Sequence, residues 1–490
     1  MNSAPTSSVS VLMRAARQAM LDNGLLPDFD QAAVNQANAI VQPAKDPGPE
    51  IRDLRNLLWA SIDNDTSRDL DQLTVAEPLS GGSVSILVAI ADVDAIVQIG
   101  SPIDAHARVN TTSVYTPAAI FSMLPEKLST DLTSLGEDQE RLSIVIEMTI
   151  DSQGTVVQSD LYRARVLNRA KLAYNSVGAW LQGDAPAPNR VIAVTGMDEQ
   201  LRIQDRVAQS LRAARRARGA LDLETIETQP TFVAGVLSDL QPEETNRAKQ
   251  LIEEFMVAAN GVTAQFLSGK GISALRRVLR TPERWDQIVA LAKGLGEALP
   301  ATPSAPALNA FLLKRRQSAP ALYPDLSLSI IKLLGAGEYV LDVPGQPIEG
   351  HFGLAVSDYT HSTAPNRRFP DLITQRLAKA ALKNQTAPYS ASQLQELAAH
   401  CTLQEHNAAK VERSVNKSAA ALLLSSRIGA KFDAVVTGAS EKGTWVRISG
   451  PTTEGKVVKG FKGLKVGDRV QVVLQDTDVA RGFIDFARVE

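Results

Sequence analysis

Residues 61–73 read SIDNDTSRDLDQL. Asp63, Asp69 and Asp71 fall within nine residues, and Gln72 follows where a fourth carboxylate would fit. Like charges this close repel, so the segment is either a solvated acidic turn or a place where a hard cation sits among the acids. Magnesium takes a few carboxylates together with waters and phosphate oxygens. A metal held so serves phosphodiester hydrolysis by activating water and neutralising charge on the attacked phosphate. The segment alone leaves both readings open.

Its surroundings give the architecture. VSILVAIADVD (84–94) is a nearly continuous apolar run after Gly-Gly, and RLSIVIEMTID and TVVQSDLYRARVL alternate with period two, so the acidic segment lies beside a sheet. Long helical patterns follow, among them EQLRIQDRVAQSLRAARRARG, ETNRAKQLIEEFMVAANGVTAQFL and SASQLQELAAHCTLQEHNAAKVERSVNKSAAALLLSSRI. Residues 60 to about 425 read as one large α+β unit. Ahead of it, Val9, Leu12, Met13, Ala16 and Met20 recur at helical spacing, and DQAAVNQANAIV gives a second helix that PAKDPGPE ends. Behind it, short strands separated by glycine turns predict a small β-barrel. That barrel carries four lysines between Lys456 and Lys465 and the aromatics Phe432, Trp445, Phe461 and Phe483. Basic residues interleaved with aromatics suit single-stranded nucleic acid; a structural barrel with all its aromatics in the core is the other reading.

Composition excludes several classes. One cysteine, Cys401, among 490 residues leaves no intramolecular disulfide and no multi-cysteine zinc site, and five scattered histidines argue against a histidine-rich one. No apolar run reaches the ~18 residues of a membrane span. The net charge of −3 does not advertise nucleic acid, so a basic surface must be local. The Ser- and Arg-containing N-terminus lacks the apolar core of a secretory signal and reads as a solvated tail leading into a helix, in a cytoplasmic protein.

SIDNDTSRDLD resembles the first motif of the RNB-domain exoribonucleases, the family of RNase II, RNase R and the exosome's catalytic subunit. IRDLRNLLWASID, VAIADVDAIVQIGSPIDAHA, TSVYTPAAIFSMLPEKLSTDLTSL, AKLAYNSVGAWL, RRARGALDL, LIEEFMVAAN, YTHSTAPNRRFPDLITQRL and KVERSVNKSAA follow in family order. The first 50 residues read as a small helical module, with a helix-turn-helix-like arrangement left open; the resemblance implies an RNB catalytic domain over 51–428 and an OB-fold barrel of the ribosomal-protein S type over 429–490. It implies a magnesium-dependent enzyme that degrades single-stranded RNA from the 3′ end to nucleoside 5′-monophosphates; a monomer is expected, and whether structured RNA with a 3′ tail is also degraded stays open. By the same resemblance Asp63, Asp69, Asp71 and Gln72 hold the metal, Asp71, Arg367 and Glu412 serve catalysis, and Tyr174 stacks on the 3′-terminal base. Arg368, Trp445, Lys459, Phe461 and Lys462 are expected to bind RNA. Ala89, where RNase R-like members usually have histidine, leans the resemblance towards RNase II.

Three departures stand out. Gln72 takes the place of the fourth aspartate, and GISALRRVLR lacks a second stacking aromatic. Roughly 50 residues precede the RNB region, fewer than paired cold-shock folds need. The rival expectation is a catalytically silent RNA-binding protein whose metal site is degraded at Gln72.

Overall fold

Two helices lead the chain, α1 (Ser8–Asp22) and α2 (Gln31–Ala39); the carboxylate of Asp30 caps the second by accepting the Ala33 N–H. This computed structural model describes residues 8–45, 48, 50–224, 227–233, 236–243, 245–440 and 443–489, so the tail expected before α1 lies outside the described residues. The sheet begins with β1 (Arg52–Asp53), β2 (Ala60–Asp63), β3 (Gln72–Pro78) and β4 (Val84–Ala91). After α3 (Pro102–Asn110) and the small pair β5 (Val114–Tyr115) and β6 (Ile120–Phe121), it resumes with β7 (Glu140–Ile150), β8 (Val156–Leu167) and β9 (Ala170–Ala173). Its order is β1-β8-β7-β4-β3-β2-β9, antiparallel within and parallel at both edges. VSILVAIA is apolar without alternation because both faces of β4 are covered.

Helices α4 (Tyr174–Gln182), α5 (Asn189–Ile192) and α6 (Met197–Ala217) follow, then a hairpin of β10 (Glu227–Val233) and β11 (Val236–Glu243). Helix α7 (Arg247–Gly269) starts where the Asn246 side chain accepts the Lys249 N–H. Strand β12 (Ala274–Val278) pairs across a helical insertion, α8 (Trp285–Gly294), α9 (Ala305–Ser318) and α10 (Tyr323–Leu334), with β13 (Glu338–Asp342). GISALRRVLR thus supplies a buried strand, with Arg276 paired to Asp342 at 2.6 Å. Two last helices, α11 (Phe369–Leu382) and α12 (Ala391–Leu424), complete this part; a capping box between Ser390 and Gln393 starts α12.

Register decides which side chains meet. Gln72 pairs with Ile90 and Thr74 with Val88, so Gln72 and Thr74 share one face, while Leu73 and Val75 point to the other. The Thr74 hydroxyl donates to Gln204 of α6. That face therefore lies under the helices.

The N-terminal helices pack on different partners. Leu12, Ala16 and Met20 of α1 are fully buried, with Val411, Val415 and Ala419 of α12 among their neighbours, and burial of each large one contributes roughly 1.5–3 kcal/mol. Helix α2 lies against α3. They are two clamps on the large α+β unit and do not pair with each other as a helix-turn-helix would. The closed barrel follows α12, with β14 (Lys431–Ser440), β15 (Gly443–Ser449), β16 (Thr452–Lys459), β17 (Arg469–Asp478) and β18 (Phe483–Arg488) in the order β14-β15-β16-β18-β17. A Cβ on Gly455 would stand 2.5 Å from the Phe486 ring, so only glycine lets β16 close over that core aromatic.

Candidate active site

Strand β2 ends at Asp63, and the turn after it carries Asp69 and Asp71 back to the start of β3. The turn is pinned throughout. Ser67 donates to Asp63, the Ser134 hydroxyl donates to the Arg68 carbonyl and accepts the Leu70 N–H, and the Leu135 N–H donates to the Leu70 carbonyl. Opposite it, the loop before α11 is held by Thr112 and Ser113, which both donate to the Arg367 carbonyl. Phe369 N–H donates to the carbonyl of Thr111, itself at φ +59°. A β-branched residue in that conformation is strained, and here it sits directly under the loop that presents Arg367.

Asp71 is 1% exposed. Its Oδ1 accepts the Asn366 N–H at 2.9 Å, whereas Oδ2 has no hydrogen-bond partner and faces Arg367 Nε at 3.2 Å as an ion pair. Burial, with repulsion from Asp69 and Asp371, pushes the Asp71 carboxyl up to about 7 against the pull of Arg367 and the Asn366 N–H. Asp69 is also raised, chiefly by burial. Burial works against the Arg367 charge, yet Asp71, Tyr115, Asp63 and Asp69 together raise its pKa. One guanidinium therefore stands among three acids, and the most buried acid keeps an unsatisfied oxygen.

That orphan oxygen fits a cation. Asp63, Asp69 and Asp71 are hard oxygen ligands, which suit magnesium. Among the described residues no three His, Cys, Asp or Glu side chains form a ready-made cage. Gln72 is not brought to the group. It is 5% exposed and turned to the face where Thr74 meets α6, because side chains alternate along a strand.

Tyr115 joins the cluster although the sequence did not single it out. Its hydroxyl stands 3.5 Å from Asp69 Oδ2, its N–H donates to Glu412 Oε1 at 2.9 Å, and burial pushes the phenol up to about 12. Its place in TSVYTP, within a block already set beside the acidic motif, was the available signal. Glu412 thus reaches the site by fixing the backbone of Tyr115. Tyr174 opens α4 directly after Ala173, which pairs with Asp63, so it stands half-buried beside the end of β2. Arg368 is drawn inward, its Nη2 2.7 Å from the buried Asp371 at the first turn of α11. Ala89, paired with Leu73 and Val145, is buried in mid-sheet and reports packing there.

On the barrel, Trp445 of β15 pairs with Lys456 of β16, whose ammonium lies 6.0 Å from the indole centre. Phe461 is 42% exposed, and Lys459 and Lys462 are exposed beside it. Phe432 packs instead inside the barrel on Phe486.

A family model described as RNB domain matches residues 51–384, and one described as RNase II-type exonuclease C-terminal S1 domain matches residues 430–489. Ribonuclease R of Thermotoga maritima is 29% identical over 94% of this chain and 68% of its own length. Ribonuclease R of Escherichia coli is 30% identical over 89% of this chain and 57% of its own, so the chain spans about three-fifths to two-thirds of these relatives. Among solved structures, Mycoplasma genitalium RNase R in complex with ribose methylated single-stranded RNA matches with TM-score 0.86 at 24% identity, over 98% of this chain and 78% of that one. Yeast Ssd1, a pseudonuclease, matches with TM-score 0.72 at 17% identity, over 90% of this chain and 55% of that one. At such identities these two structures speak for the fold alone.

Proposed function

The chain belongs to the RNB-domain family, and from that premise we propose that it is a 3′→5′ exoribonuclease that hydrolyses single-stranded RNA to nucleoside 5′-monophosphates with magnesium. The observation that carries the reading is the buried Asp71, one oxygen of which accepts no hydrogen bond and faces Arg367 beside Asp69. Asp63, Asp69 and Asp71 would hold the ion, which when bound supplies an acidified water and charge neutralisation at the phosphate. Arg367, fixed through its carbonyl by Thr112 and Ser113, offers a preorganised cation to the charge that develops on the scissile phosphate. Tyr115 orients Asp69, and Glu412 holds Tyr115 in place. Tyr174 stacks on the terminal base, which sets the last linkage in reach of the acids. Trp445, Lys459, Phe461 and Lys462 hold the strand on the barrel through stacking and phosphate contacts.

A catalytically silent RNA-binding protein is the second reading, and the lost carboxylate at Gln72 is what favours it. The test is digestion of a 5′-labelled oligoribonucleotide with magnesium or with EDTA. A ladder shortening from the 3′ end in magnesium alone, with released 5′-monophosphates, is expected. Binding with no cleavage in either buffer would favour the silent reading.

A further inference from the structure

Away from the carboxylates, three arginines from two helices converge on one acid. Asp222, in the loop after α6, receives Arg212 at 3.1 Å, Arg316 of α9 at 2.6 Å, and Arg216 in a closer contact. Glu224 adds only a 3.7 Å approach to Arg316. A single carboxylate cannot neutralise three guanidiniums, and each guanidinium has five donors to place. Asp222 and Arg212 are each 14% exposed, while Arg216 and Arg316 keep 34% and 44%, so the surplus charge faces solvent. Burial, with repulsion from Arg212 and Arg316, lowers the pKa of Arg216 against the pull of Asp222 and Glu254. Tyr323 backs the cluster, its hydroxyl donating to the Asp222 carbonyl and its ring 5.9 Å from Arg316.

Tyr323 also faces a cavity shared with the barrel. Arg315, next to Arg316, lines that cavity with Tyr323 and with Val436 and Val466 of the barrel. Lys462 and Lys465, on the loop that carries Val466, are exposed. Planar guanidinium forks match phosphate oxygens, and they do so best when held rigidly, as here by two helices and a half-buried acid.

We propose that Arg212, Arg216 and Arg316 form a phosphate-binding site that holds a backbone phosphodiester of the RNA strand. The proposal rests on the reading of this chain as an RNA-degrading enzyme. The test is binding of a single-stranded RNA of about 30 nucleotides to the full chain in EDTA, over a salt series. Each phosphate contact on a single strand contributes about 0.7 to the slope of log affinity against log salt. Arg216→Gln and Arg316→Gln should each weaken binding about 3- to 10-fold and flatten the slope by roughly that amount. Lys314→Gln removes the same charge from α9 where Lys314 pairs with Glu297 instead, and it should keep the wild-type slope. Unchanged slopes in both arginine variants, or an equal change in Lys314→Gln, overturn the site while leaving RNA binding by the wild type intact. A wild type that binds no RNA overturns the functional reading and the site together. Thermal protection of the wild type by inorganic phosphate, lost in both arginine variants whose RNA slope is unchanged, would assign the site to free phosphate and overturn the RNA proposal.

Discussion

At the carboxylate end of the central sheet, Asp71 is 1% exposed and every loop around it is tied down by hydrogen bonds, whereas on the barrel Phe461 is 42% exposed and Lys459 and Lys462 stand in solvent. The first region concentrates charge where water is scarce, so each charge is strong and its geometry critical. The second spreads weak contacts over a surface, where each contributes little but all add to affinity. The contrast implies that changes at the first alter rate at nearly constant affinity, and changes at the second alter affinity at nearly constant rate.

The largest break is Asp71→Asn. Single-turnover hydrolysis should fall about 10⁴-fold, or ~5 kcal/mol, while the RNA Kd stays within about threefold. A parallel loss of affinity would dissolve the distinction between the regions.

Next comes stability without metal. The folded Asp71 carboxyl titrates at about 7, above the ~3.9 of an unfolded aspartate. Between those values the folded state binds more protons, so stability in EDTA should fall as pH rises from about 4 to 7 and level off above. Asp71→Asn removes that loss and should be more stable than wild type at pH 8 by up to ~4 kcal/mol, converging with it near pH 4. Denaturant melts at the two pH values check this; equal stability at pH 8 would mean that Asp71 is compensated without an ion.

Arg367→Ala should slow single-turnover hydrolysis about 10²-fold, ~2.7 kcal/mol, as loss of one preorganised donor does. Gln72→Asp tests the orientation of the strand. A carboxylate on the helix-facing side should cost about 2 kcal/mol of stability without moving half-maximal magnesium. A lower magnesium requirement would bring position 72 into the metal site after all. The smallest effect belongs to Trp445→Ala, about 1 kcal/mol or fivefold in Kd, with the rate at saturating RNA unchanged.

Much of this was legible in the chain. The continuous run at 84–91, the period-two strands after it, the long helical patterns and the glycine-punctuated barrel each depend on neighbours a few residues away. So does the crowding of Asp63, Asp69 and Asp71. The hairpin at 227–243 escaped notice, since its buried Leu237 and Leu240 are apolar only to suit α1, α12 and the barrel core.

What the sequence by itself determined was the local inventory: which segments coil, which extend, and which acids lie close along the backbone. Tertiary structure alone decided how that inventory is shared out. It joined Tyr115 to Glu412, and Arg367 to Asp71, across about three hundred residues. It also turned Gln72 towards α6. The reason is physical: backbone geometry is set within a few residues, but the direction of a side chain at a strand end, and the partner that satisfies a buried charge, follow from register and packing between distant segments.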